Sequence, residues 1–169
     1  MLWLYLLGAV TVLGIALRRV RRRQKPLDDE LYSKKVAIDH VHSGVAWVRA
    51  DGTIGFMNKA LTTTLKIKPN ELDGRDWLLL FPQKERNQVQ EAYSQALLLG
   101  IASIDAQVER SDGSPAWIEM VLVSVHDHKM RFVGHHCLTT DRTRERWLEE
   151  KVKELTAALQ PSEAAEVNT

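Results

Sequence analysis

A chain of 169 residues, 44% hydrophobic and 27% charged, has room for one packed domain and short appendages. Its net charge of +1 supplies no overall field for a polyanion, so no nucleic-acid partner is expected. The single cysteine, Cys137, excludes an intramolecular disulfide and marks no oxidising compartment.

Residues 1–17, MLWLYLLGAVTVLGIAL, form an uncharged apolar run. As a helix it would span roughly 25 Å of a hydrocarbon core about 30 Å thick. Arg18, Arg19, Arg21, Arg22 and Arg23 follow directly, the reverse of a cleaved signal, whose positive charge precedes its apolar segment. The expectation is a single-pass anchor in the cell membrane. The arginines are read as its topology signal, with a contact for anionic lipid headgroups as the alternative reading, and everything after them is expected to be cytoplasmic. Residues 18–26 read as a basic juxtamembrane linker that Pro26 interrupts.

Leu27, Leu31, Ile38 and Val41 then share one face of an entry helix over 27–42, with Asp28, Asp29 and Glu30 at its positive end. It serves either for signalling and dimerisation or for packing on the domain that follows.

That domain spans 43–140. Residues 45–58 read as a tight hairpin folded at Asp51-Gly52, with Val45 and Trp47 on one face and Ile54 and Phe56 as their core partners. Asn58 caps a short helix, weakened by Thr62, Thr63 and Thr64, and residues 69–74 read as turns. Between Pro82 and Gly100, Val89, Ala92, Tyr93, Ala96 and Leu97 recur at helical spacing. Ile104, Ala106 and Val108 alternate with polar residues in a strand, Ser111 to Ser114 turns, and 117–125 and 130–138 are the last two strands, joined at 126–129. Two strands, a helical insert and three antiparallel strands give an α+β fold with helices on one face of a five-stranded antiparallel sheet.

This order resembles a PAS (Per-Arnt-Sim) sensor domain: strand, Asp-Gly, strand, Asn58 at a helix start, Asp73-Gly74 before Trp77, then a long helix. The likeness covers roughly Leu31 to Leu155. It implies strand order 2-1-5-4-3 and a pocket cupped beneath short helices. Residues 140–143, Thr-Asp-Arg-Thr, are similar to the family's Asp-Ile-Thr exit motif, which implies that Asp141 and Thr143 couple the last strand to the outgoing helix. Arg142 replaces the usual middle residue, and Arg49 stands where an acidic residue is common. The exit helix, 141–160, carries Leu148, Val152, Leu155 and Leu159 at heptad-like spacing, a coiled-coil seam barely two heptads long. A polar tail, 161–169, is expected to be disordered.

Five candidate metal ligands crowd the end of the domain: His126, His128, His135, His136 and Cys137. An extended strand puts His135 about 20 Å from the turn, and His135 and His136 point to opposite faces, so no metal site is expected. Met130, Phe132, Gly134, His136 and Leu138 share the more apolar face, which makes that the inner one and His136 a core histidine. Haem and flavin-adduct relatives carry a His on the long helix or a Cys before it, and neither is present here, so the cofactor is left unknown. Trp47, Phe56, Trp77, Phe81, Tyr93, Phe132 and His136 are the candidate pocket residues, or they simply fill a core. No phosphate loop, nucleophile elbow or carboxylate pair marks an enzyme. The stretch after Asp141 is too short for an output domain. The expectation is therefore a membrane-anchored sensory or interaction module that forms a homodimer. It binds a small molecule or partner protein and signals in trans, through its flanking helices, to a separate output protein. A ligand-free interaction scaffold and a redox protein are the alternatives.

Overall fold

The computed structural model describes residues 28–166. The expected membrane span over 1–17 and the arginines at 18–23 lie outside that range. Among the described residues no helix is long and apolar enough to cross a membrane. The described residues divide into two units, one ending at His40 and one beginning at Val41.

In the first unit residues 28–39 form helix α1. Glu30 and Lys34 pair one turn apart along it, and His40 Nδ1 donates to the Val36 carbonyl at its end, 2.8 Å away. Leu31 and Val36 are exposed.

The second unit contains β1 (Gly44–Arg49), β2 (Ile54–Met57), α2 (Lys59–Leu65), a 3-10 turn (Trp77–Leu80) and α3 (Gln83–Leu99). It continues through β3 (Ile101–Glu109), β4 (Pro115–His126), β5 (Phe132–Asp141) and α4 (Thr143–Glu166). The five strands form one sheet ordered β2-β1-β5-β4-β3, and every pair is antiparallel. α4 runs past residue 160, where the sequence places a disordered tail, and the Ser-Glu-Ala-Ala-Glu stretch after Pro161 retains helical propensity.

The first hairpin is wider than the two-residue turn expected. Arg49 N donates to Thr53 O at 2.8 Å and Gly52 N to Arg49 O at 3.0 Å, which leaves three residues in the loop. Only Gly52 takes positive φ, at 80°, while Asp51 Oδ1 accepts from the Thr53 amide.

Which strand residues face inward differs from the sequence reading in β1 and β5. Gly44, Ala46 and Val48 are buried, whereas Val45 and Trp47 are only half-buried. In β5 the buried side chains are His135, Cys137 and Thr139, so the face carrying Phe132, His136 and Leu138 is the outer one. The reason is steric. A Cβ added at Gly44 would lie 2.2 Å from Thr139 Oγ1 and 3.1 Å from Leu61, so the inner face of β1 needs small residues where α2 sits on it. Ala106 and Ala116 are likewise fully buried on the inner face, and α3 sets Val89, Ala92 and Ala96 against the sheet. The large aromatics are displaced outward, and an amphipathic pattern judged by hydrophobicity alone inverts the faces. β3 follows expectation, with Ala106 and Val108 buried and Ile104 packed against the core.

Candidate functional site

The space enclosed by the inner sheet face, α2 and the 3-10 turn is small. Its volume is about 20 Å³, room for about one water molecule, between apolar walls that include Leu61, Leu65, Trp77, Phe81 and Met120. Cys137 and Thr139 form its floor. Burial pushes the Cys137 thiol up to about 12, so it stays protonated. Among the described residues no cluster of three His, Cys, Asp or Glu side chains is placed to hold a metal ion.

The seven aromatic and histidine residues named from the sequence divide between the two sides of the sheet. Trp77 and Phe81 line the cavity, with ring centroids 5.6 Å apart at 85°. Tyr93 on α3 packs edge-on against Trp77 at 5.8 Å. Trp47, Phe56 and His136 lie on the outer face, where Trp47 faces Phe56 across β2 and His136 across β5. The Trp47 and His136 rings are 4.9 Å apart. Phe132, further along the same outer face of β5, packs against His126 at the hairpin end. His136 is therefore no core histidine, and its neighbour takes that place. His135 is buried between Trp77 and Tyr93, 4.9 and 4.8 Å from their rings, with no hydrogen-bond partner on either ring nitrogen. Burial, and then the adjacent His136, lower its pKa to about 4. The sequence signal for His135 is its adjacency to His136: one of two consecutive strand residues must face inward.

Asp141 and Thr143 converge at the sheet exit. Asp141 Oδ1 accepts from the Thr143 amide at 2.9 Å, and Thr143 Oγ1 accepts from the Trp117 amide at 3.0 Å. Arg110, at the end of β3, reaches both: one terminal nitrogen lies 3.6 Å from Asp141 Oδ2 and 3.5 Å from Thr143 Oγ1. Arg142, the departure from the resembled motif, adds a clamp by pairing with Glu119 on β4 at 2.8 Å and with Glu145 at 2.7 Å. Arg146 stacks over the Trp117 ring at 4.5 Å and pairs with Asp105, which lays the first turns of α4 on the outer face over β3 and β4. Arg49, the other departure, donates to Thr53 Oγ1 and to the Ile54 carbonyl and closes its own hairpin. Along α4, Leu148, Val152 and Leu155 remain exposed. The side chain of Leu159 lies outside those described.

A family model described as PAS fold matches residues 38–146, well over half of the chain. The chain belongs to the PAS family. The fold also matches solved PAS domains. One from a protein of Colwellia psychrerythraea is 20% identical, with a TM-score of 0.63 over 68% of this chain and 98% of that one. The PAS domain of a LuxR-family transcriptional regulator from Burkholderia thailandensis, solved in complex with ethanol, is 18% identical, with a TM-score of 0.54 over 63% of this chain and 95% of that one. A PAS domain from a two-component sensor histidine kinase is 9% identical, with a TM-score of 0.58 over 68% and 97%. At these identities the likeness shows the shared fold. No curated protein matches the chain. As a PAS domain it is a sensing and signalling module in general character.

Proposed function

We propose that this PAS protein signals through protein contacts made by its flanking helices, with an interior filled by its own side chains. The observation that carries this reading is the cavity of about 20 Å³. Ligand pockets typically enclose about 300 Å³ or more, so a small molecule would have to displace core side chains to enter. Apolar groups left without cover include a seam along α4, where Leu148, Val152 and Leu155 are 46%, 62% and 64% exposed. A two-heptad helix gains its stability from a partner, and a second copy offers a matching seam. In this reading the chain is a homodimer held at the cell membrane by residues 1–17, with Arg18 to Arg23 on the cytoplasmic side. It acts in trans on a separate output protein and performs no catalysis of its own.

Native mass spectrometry of the full chain released from detergent tests both halves of the proposal. The expected result is a dimer without added ligand mass, converted to monomer by Leu148→Glu with Leu155→Glu while the circular dichroism of the domain is retained. A monomeric parent chain, a double variant that still dimerises, or a stoichiometric bound small molecule would overturn the reading.

A further inference from the structure

A helix as short as α2 leaves its last carbonyls without internal partners. Here the Ile67 and Lys66 amides take Thr62 O and Thr63 O, and the β3–β4 hairpin takes those that follow. Thr64 O accepts from Arg110 Nε at 2.9 Å, Leu65 O from the Ser111 amide at 3.0 Å, and Lys66 O from Ser111 Oγ. Lys66, the left-handed cap of α2, pairs with Asp112 at the hairpin tip. The same helix presents Leu61 and Leu65 to the cavity.

The other edge of the Arg110 guanidinium faces the exit. Beyond Asp141 and Thr143, its remaining terminal nitrogen donates to Pro115 O at 2.8 Å, which locks the arginine to the first residue of β4. Its side chain is only 16% exposed, so solvent screens these contacts weakly. One planar fork thus holds the end of α2 on one side and the start of α4 on the other. Lysine cannot replace it, because an ammonium is a single point charge and cannot keep both directions at once.

We propose that Arg110 is the positioning residue that couples α2 to α4, so that a shift of the cavity wall loosens or tightens the root of the outgoing helix. This rests on the reading that the signal leaves through α4. Because Nε bonds Thr64 O while a terminal nitrogen of the same rigid group pairs with Asp141 Oδ2 at 3.6 Å, a movement of α2 either rotates the fork or breaks its bond to Thr64. Either event changes the hold on Asp141 and Thr143.

Amide hydrogen exchange of the full chain in detergent tests this, with α3 peptides reporting global stability and peptides over residues 142–147 reporting the root of α4. Leu65→Ala should speed exchange at the root of α4 by about tenfold beyond its effect on α3. The same substitution combined with Arg110→Lys should add less than about twofold, because the link to Thr64 is gone while the charge beside Asp141 keeps the root protected enough to measure. Arg110→Met should expose the root outright. Equal acceleration in the native and Arg110→Lys backgrounds, or none in the native one, would overturn the proposal. The readout is intramolecular, so it stands apart from the dimer mass that tests the proposed function.

Discussion

His135 is 1% exposed, and both of its ring nitrogens lack hydrogen-bond partners. A neutral imidazole tolerates this position at the cost of two unmade bonds, and an imidazolium does not. Since burial and the adjacent His136 hold the folded pKa at about 4, below the ordinary 6.5, the unfolded chain gains a proton first as the pH falls. The contribution of His135 to stability is therefore constant above about pH 6.5 and is lost progressively towards pH 4, by up to about 3 kcal/mol. Urea denaturation at pH 7 and pH 4.5 should show this loss in the parent chain and a much smaller one in His135→Phe, which keeps an aromatic ring between Trp77 and Tyr93. Equal losses in the two would exclude His135 as the source. Comparing the two chains cancels the exposed Asp51 and Asp112 and the half-buried Asp127, whose pKa values are lowered by hydrogen bonds and whose titration both share.

Among the elements, the junction of β1, β2 and α2 was the most legible in the sequence, because one residue type serves it. Asn58 is fully buried, and its Oδ1 accepts from both the Leu61 and Val45 amides while Nδ2 donates to Ser43 O. An asparagine placed after an Asp-Gly hairpin and before a run of helical residues carries that information locally. Asn58→Ala should cost about 2 to 4 kcal/mol, since it removes a cap and leaves buried amides unpaired. Chemical denaturation measures it, and a loss below about 1 kcal/mol would show that water reaches these amides. The inward faces of β1 and β5 were not legible. They depend on how closely α2 approaches Gly44, and on how closely β1 pairs with β5 at Gly134, where a Cβ would meet Val48 O at 2.2 Å. Gly134 has φ of 140°, a conformation that a side chain would strain. Such close approaches are properties of two segments far apart in the chain, and neither segment encodes them alone.

For the molecule as a whole, the strand order follows from the resemblance together with the alternation and the turns, whereas the size of the cavity does not. Its volume is what remains after more than a dozen side chains from seven elements have packed, so an aromatic list drawn from the sequence cannot tell a filled core from a lined pocket. Trp77 and Phe81 do reach the cavity, but Trp47, Phe56 and His136 pack across the outer face. The proposed anchor has its own whole-chain test. The full chain should remain in the membrane pellet after an alkaline carbonate wash, while a chain starting at Gln24 should be released; release of both would remove the anchor from the proposal.

Cys137 lies in the floor of the cavity with its thiol pushed up to about 12, sealed from solvent. Disulfide exchange and alkylation proceed through the thiolate, so the native cysteine is chemically silent in the folded state. A cysteine introduced on the exposed face of α4 would consequently be the one reactive thiol in the folded domain. The protein thus accepts a single spectroscopic label on α4 without removal of its native cysteine.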